Sequence, residues 1–146
     1  LQDGARKMSK SDPSDKTRLY LTDYADSLAK MIRKAKTDPD PLPDSVEGLA
    51  GRAEARNLVN IYAALAQSSA EAVIAEHAGA QFGQFKLALA DLAVAELGAI
   101  SAEMSRLMDD PAEIDRHLAK SAEQARSIAA PILARTYDIV GMLPGA

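Results

Sequence analysis

The sequence predicts an all-α protein, a helical bundle of about four to five helices preceded by a basic loop. Three observations support this. Alanine is abundant, with 29 residues, while aromatic residues make up only 4% of the 146-residue chain, a balance that favours helices over strands. Apolar residues recur at intervals of three and four. At 47% hydrophobic and 26% charged residues, the chain can also bury an ordinary core.

Composition also excludes some kinds of chemistry. The sequence has no cysteine, so a disulfide framework, a thiolate zinc site and a cysteine nucleophile are all ruled out. The net charge of −4 is uneven, because residues 1–37 carry nine basic and five acidic side chains and the remainder carries eight and sixteen. The N-terminal part is therefore suited to contact phosphate. A merely solvated basic coil explains the same charge equally well.

The first elements follow from local sequence. Ser9 to Asp15 is rich in Ser, Lys, Asp and Pro and predicts a loop. Helical spacing starts near Thr22, with Thr22 or Asp23 as the N-cap, and ends at Asp38 and Pro39. Alternating prolines and acids up to Gly51 then predict an extended loop.

A second helix is predicted from about Arg52 to Gln67, and a third begins at a capping box of Ser68 and Glu71 and ends at Gly79. The apolar face predicted for the second helix contains Leu58, Ile61, Tyr62 and Leu65.

A long fourth helix is predicted from about Phe82 to Met108. A last helix begins with Asp110 as its cap and Pro111 in its first turn, is kinked or broken at Pro131, and ends at Gly141. The predicted core face of the fourth helix contains Phe85, Leu89, Ala93, Leu97, Ile100, Met104 and Leu107.

The helices themselves carry no self-contained catalytic constellation. His77 and His117 lie forty residues apart without a partner at metal-ligand spacing, so each is interpreted as a surface or helix-end residue. Asp109 and Asp110 could be imagined as a metal site, but a helix cap explains Asp110. We therefore predict no metal site.

The informative segment is Lys7-Met8-Ser9-Lys10-Ser11. Two lysines three residues apart, flanked by hydroxyls on a loop, offer mobile ammonium groups to an anion whose geometry changes during a reaction. A polyphosphate leaving group fits this description. Cations that approach as charge develops on departing pyrophosphate stabilise the transition state more than the ground state.

These five residues read KMSKS, and from this loop onward the chain resembles the class I aminoacyl-tRNA synthetases. Blocks further along the chain resemble tryptophanyl-tRNA synthetases of the bacterial type, with tyrosyl-tRNA synthetase as the second choice. The blocks are Lys10–Asp12, Lys36–Asp38, Asn57–Tyr62, Phe82–Lys86, Ala122–Ala125 and the end of the last helix near Tyr137–Gly141.

The resemblance implies the C-terminal part of a tryptophan-tRNA ligase, an enzyme of protein biosynthesis that activates tryptophan with ATP and charges tRNA(Trp). Residues 1–18 would be the KMSKS loop and a remnant of the catalytic domain, and residues 19–146 the helical domain that binds the tRNA anticodon. The Rossmann-like catalytic domain with its HIGH motif is absent from the sequence, so this fragment alone is expected to be inactive and to bind no cofactor.

By the same resemblance, the parent enzyme uses ATP with Mg and works as a cytoplasmic homodimer, without membrane or DNA partners. Lys10 would be the main catalytic cation, assisted by Lys7, and Lys7, Met8, Ser9, Lys10 and Ser11 would bind ATP and pyrophosphate. The rival interpretation is a stand-alone helical interaction or oligomerisation module. Candidate tRNA contacts are Lys30, Arg33, Lys34, Arg52, Arg126 and Arg135.

Overall fold

The computed structural model describes residues 3–5, 9 and 11–143, and these residues form five α-helices and two short 3-10 helices without any β-strand. The all-α prediction is confirmed. The helices are α1 (Ala25–Arg33), α2 (Ala53–Leu65), α3 (Ala70–His77), α4 (Phe82–Asp109) and α5 (Pro111–Val140), and the 3-10 helices are Asp15–Thr17 and Val46–Leu49.

The chain divides into two compact units, Leu1–Met104 and Ser105–Ala146. The sequence predicts a different boundary, between residues 18 and 19, which separates the KMSKS loop from the helical domain by function. That boundary stays a prediction.

The first unit has one hydrophobic core built by α1 to α4 and the loop between α1 and α2. Ile32, Leu49, Leu58, Ile74 and Phe85 contribute side chains that are at most 1% exposed. Each such residue stabilises the fold by about 1.5–3 kcal/mol relative to an exposed position. Of the face predicted for α2, Leu58 is fully buried, while the other three side chains are half-buried and pack against the core.

Helix α1 is shorter than predicted at both ends. It begins at Ala25 after Tyr24, which makes no side-chain cap, and it ends at Arg33. The predicted cap at Thr22 or Asp23 is wrong, because the Asp23 carboxylate accepts a hydrogen bond from the Tyr20 amide instead (3.0 Å). Beyond Arg33 the amide of Ala35 bonds to the carbonyl of Ile32, a tighter turn that ends the helix.

The loop after α1 is not extended throughout, because it contains the 3-10 helix Val46–Leu49, and it is held against the residues that follow α3. The amide of Leu42 donates to the carbonyl of Ala80, and the amide of Gly79 donates to the carbonyl of Leu42, both at 2.9 Å. Leu42 is thereby fixed with its side chain 2% exposed. Gly79 has φ +72°, a left-handed conformation that glycine adopts without strain and that ends α3 as predicted.

The cap of α3 lies one residue later than predicted. Ser69, not Ser68, is the N-cap, and its Oγ accepts a hydrogen bond from the amide of Ala72 at 3.2 Å. The Glu71 carboxylate has a lowered pKa, because it accepts hydrogen bonds from its own amide and from the Ser69 side chain.

Helix α4 buries only the first half of its predicted core face. Phe85, Leu89 and Ala93 are buried, together with Phe82 and Ala90. Leu97 packs at the edge of the core, whereas Ile100 is 47% exposed. The regular apolar spacing therefore continues beyond the point where α4 has a packing partner in the first unit.

The second unit consists of the end of α4 and α5. Asp110 caps α5 by accepting from the amide of Glu113 (3.2 Å), and Pro111 occupies the first turn, as predicted. Pro131, where the sequence predicts a kink or a break, does not break the helix, since it continues from Pro111 to Val140. Gly141 ends it at φ 70°, with the amide of Met142 bonded to the carbonyl of Tyr137.

Candidate functional site

The described part of the predicted phosphate loop is a tight turn between Ser9 and Asp12. The amide of Asp12 donates to the carbonyl of Ser9 at 3.3 Å, and the two hydroxyls of Ser9 and Ser11 lie 3.0 Å apart. The carboxylate of Asp12 then accepts from the amide of Ser14 at 2.8 Å. Ser9 and Ser11 are exposed, so their hydroxyls are accessible to a ligand. Lys7, Met8 and Lys10 lie outside the described residues.

Arg18 holds this turn through hydrogen bonds to its backbone carbonyls. Its Nη1 donates to the carbonyl of Asp12 at 2.7 Å and to the carbonyl of Ser9 at 3.3 Å. Its Nε donates to the hydroxyl of Tyr20, and its guanidinium carbon lies 5.0 Å from the centre of the Tyr20 ring. Sequence reasoning missed Arg18, because backbone carbonyls are its acceptors on the turn and no side-chain spacing marks such a contact.

Arg52 organises the loop after α1. Its guanidinium forms two hydrogen bonds with the Asp38 carboxylate, at 2.6 and 3.0 Å, and donates further to the carbonyls of Asp40 and Pro41. The hydrogen bond from Arg52 lowers the pKa of Asp38. Four hydrogen bonds within the protein thus hold the side chain that the sequence proposed as a tRNA contact.

Lys86 holds the beginning of the same loop. Its Nζ donates to the carbonyl of Ala35 at 2.6 Å and to the hydroxyl of Thr37 at 2.9 Å, and burial lowers its pKa. The ring of Phe82 lies 5.8 Å from the guanidinium of Arg52 and 6.0 Å from the ammonium of Lys86. Two blocks that carried the resemblance, Lys36–Asp38 and Phe82–Lys86, therefore meet in one structural network.

The other candidate tRNA contacts are exposed. Lys30 and Arg33 lie in the last turn of α1 and Lys34 follows as its C-cap, on the side opposite the buried Leu28 and Ile32. Basic side chains at this position also complement the helix dipole. In the second unit, Arg126 and Arg135 are exposed on α5.

The two histidines have different environments. His77 is the last residue of α3, and its ring makes edge contacts with Tyr62 and Phe85 at 5.0 and 5.1 Å between centroids. Its Nε2 is buried and has no hydrogen-bond partner in the described structure. His117 lies on α5 with 73% of its side chain exposed and its Nε2 3.8 Å from Glu113. The prediction of helix-end and surface positions fits both.

The described residues contain no metal cluster. No group of three or more His, Cys, Asp or Glu side chains there could hold a metal ion. A small pocket of about 220 Å³ is lined by Asp44, Glu47 and Glu71, among others, and these carboxylates would repel a phosphate.

The described helices do not have the length and composition of a membrane span. None of them alone is long and apolar enough to cross a membrane. Helices α2 and α3 reach that length and composition only together, with a bend of 107° between them, and both contribute buried residues to the core.

Comparison with known proteins gives a consistent result. The family model described as tRNA synthetases class I (W and Y) matches residues 1–98. A protein of Rhizobium meliloti named tryptophan-tRNA ligase is 56% identical over 143 residues, which are 98% of this chain and 40% of the relative. A Caulobacter vibrioides protein of the same name is 55% identical over 141 residues, covering 97% of this chain and 41% of the relative.

The chain thus spans about 40% of the length of the curated relatives it matches. Among solved structures, tryptophanyl-tRNA synthetase from Mycoplasma pneumoniae has a TM-score of 0.73 at 24% identity, over 99% of this chain and 45% of that one. At this identity the likeness shows a shared fold.

Proposed function

Because the chain belongs to the family of class I tRNA synthetases (W and Y), we propose that it forms the C-terminal part of a tryptophan-tRNA ligase, an enzyme that activates tryptophan with ATP and charges tRNA(Trp). The observation that carries the proposal is sequence identity of 53–56% with curated tryptophan-tRNA ligases over 97–98% of the chain.

The identity with these relatives favours tryptophan over tyrosine as the amino acid. The family description includes both enzymes, but the curated relatives above carry the tryptophan name. A stand-alone helical module is not favoured, because the alignments extend over 97–98% of the chain rather than over the helices alone.

In this proposal Lys10 is the main catalytic cation and Lys7 assists it. Attack of the tryptophan carboxylate on the α-phosphorus of ATP forms a new P–O bond. The bond between the α-phosphorus and the oxygen that bridges to the β-phosphorus breaks, so negative charge moves onto the leaving pyrophosphate. An ammonium group that meets this charge as it develops lowers the barrier. Ser9 and Ser11, whose hydroxyls are exposed, would donate hydrogen bonds to phosphate oxygens.

ATP would enter as its Mg²⁺ complex, and tryptophan and most of the nucleotide would bind to the part of the enzyme that precedes the loop. The described residues provide no cluster of metal ligands, so the proposal assigns no metal contact to them. By the same family membership, the parent enzyme would be a homodimer in the cytoplasm, with neither a membrane nor DNA as partner.

For tRNA we propose contacts from the exposed basic side chains of both units. Phosphate contacts require accessible cations, a condition that Lys30, Arg33 and Lys34 meet on α1. Arg126 and Arg135 meet the same condition on α5. Arg52 is left out of the proposed contact set, because its hydrogen bonds hold the loop.

The test is amino-acid-dependent exchange of pyrophosphate into ATP, measured on the longer protein that includes the N-terminal part present in the relatives. We expect exchange with tryptophan and at most trace exchange with tyrosine, which serves as the matched control. Pyrophosphate exchange that depends on tyrosine would instead identify the chain as part of the tyrosine enzyme of the family. Exchange with neither amino acid would contradict an activating function.

A further inference from the structure

Arg18 is a charged residue in an unusual position for a loop. Only 8% of it is exposed, and it is the only buried charged or polar residue in the part of the chain that the structure describes. Arginine is almost never buried without partners, because removing its charge from water is costly. The position therefore requires specific acceptors, and these show what the side chain does.

Two of the acceptors of Arg18 are the two ends of the turn in the phosphate loop. Nη1 reaches both the carbonyl of Ser9 and the carbonyl of Asp12, which are also the first and last residues of the turn closed by the Asp12 amide. Tyr20 orients the guanidinium by accepting from Nε and by lying beside it. The cation thus fixes the turn that contains Ser9 and Ser11, without facing solvent itself.

We propose that Arg18 is a positioning residue for the phosphate loop, which holds the backbone at Ser9 and Asp12 and thereby the serine hydroxyls that would meet the leaving pyrophosphate. This inference rests on the proposed function for its catalytic consequence, but not for its structural one. Nε and Nη1 of Arg18 are turned to Tyr20 and to the backbone of the loop, so the proposed role needs no contact of Arg18 with ATP or pyrophosphate.

The geometry favours arginine over lysine at this position. A guanidinium has five donors in a fixed plane, so one side chain can bond the turn with one end and Tyr20 with the other. An ammonium is a compact charge on a flexible stem and can replace the bond to the turn without keeping the bond to Tyr20. Arg18→Lys is therefore expected to restore part of what Arg18→Ala loses.

The kinetic test compares Arg18→Ala and Arg18→Lys with the unaltered longer protein in tryptophan-dependent pyrophosphate exchange. Misplacing catalytic groups by about 1 Å costs up to about a hundredfold in rate. We expect Arg18→Ala to lower kcat by about ten- to a hundredfold with the KM for ATP nearly unchanged, and Arg18→Lys to recover part of kcat. Arg56→Ala, at an exposed arginine of α2, is the matched control and should leave both constants unchanged.

A second measurement tests the positioning itself, independently of activity. Peptides covering residues 9–14 are followed by hydrogen–deuterium exchange in the longer protein. Arg18→Ala should exchange at least several-fold faster there, while peptides from α2 and α4 stay unchanged. Tyr20→Phe, which removes one acceptor of Arg18, should give a smaller increase.

The two measurements separate the possible failures. If the unaltered protein shows no tryptophan-dependent pyrophosphate exchange, the proposed function fails. Hydrogen–deuterium exchange then still tests whether Arg18 positions the turn. Unchanged exchange of residues 9–14 in Arg18→Ala would overturn the positioning role. A raised KM for ATP with unchanged kcat would also overturn it, because it would indicate a direct contact with the nucleotide.

Discussion

The guanidinium of Arg52 donates two hydrogen bonds to the carboxylate of Asp38, a residue fourteen positions earlier in the chain. This pair connects the start of α2 to the loop that follows α1. Both side chains are largely shielded, with 18% and 28% exposed. Removing the guanidinium would also leave the carbonyls of Asp40 and Pro41 without these donors.

We therefore expect Arg52→Ala to lower the free energy of unfolding by about 2–3 kcal/mol, measured by urea denaturation, because a charged hydrogen-bonded group loses its partner. Arg56→Ala is the matched control at an exposed position and should change it by at most about 0.5 kcal/mol. Equal effects of both substitutions would show that the network contributes nothing specific.

The same pair predicts a pH dependence. Arg52 lowers the pKa of Asp38 below its ordinary value of 3.8. A carboxylate with a lowered pKa contributes stability that is present above the unfolded-state pKa and is lost as the pH falls through the folded-state pKa. We expect the difference in unfolding free energy between the unaltered chain and Asp38→Asn to be constant near neutral pH and to shrink below about pH 3.8. A difference that grows in acid would contradict this sign.

The two adjacent serines before α3 allow a closely matched comparison. Ser69 accepts the hydrogen bond from the Ala72 amide, and Ser68 precedes the cap. Loss of an N-cap side chain costs about 1 kcal/mol. Ser69→Ala should therefore lower the free energy of unfolding by about that amount and Ser68→Ala by close to zero. A larger loss for Ser68→Ala than for Ser69→Ala would instead support Ser68, the cap that the sequence predicts.

This example shows what sequence reasoning can and cannot locate. The pattern Ser-Ser-x-Glu predicts a helix start correctly, but the choice between two neighbouring serines depends on backbone angles that composition does not encode. Likewise, the spacing on α4 predicts an apolar face, yet burial of Ile100 depends on a partner and not on periodicity. Arg18 and Lys86 act largely on backbone carbonyls, which leave no mark in a sequence.

Lys86 is expected to act as a structural cation. Its ammonium bonds the carbonyl of Ala35 and the hydroxyl of Thr37. Lys86→Met keeps most of the apolar stem but removes both bonds, and we expect a loss of about 1–2 kcal/mol in the free energy of unfolding. Thr37→Val removes only one acceptor and should cost less. A neutral effect of Lys86→Met on stability, together with weaker tRNA binding, would instead assign this lysine to the tRNA surface.

In the second unit, Arg106 forms two hydrogen bonds with Glu113, at 2.6 and 2.9 Å. They lower the pKa of Glu113 from 4.5 to about 2, with smaller contributions from the charges of His117 and Arg116. We expect the carboxyl carbon of Glu113 to titrate near pH 2 by NMR and Arg106→Ala to move the midpoint most of the way back to 4.5. Arg116→Ala is the control and should move it far less.

The assignment of roles to the two lysines of the phosphate loop predicts a specific kinetic pattern. If Lys10 meets charge that develops only in the transition state, Lys10→Ala should slow tryptophanyl-adenylate formation by about 10²–10³-fold while ATP affinity changes little. Lys7→Ala should follow the same pattern with a smaller loss. Lys16→Ala, an exposed lysine just beyond the loop, serves as the control and should leave the rate unchanged. Single-turnover measurements on the longer protein separate binding from chemistry. Weaker ATP binding with an unchanged rate of adenylate formation would show that Lys10 holds the ground state, and the leaving-group role would then have to be given up.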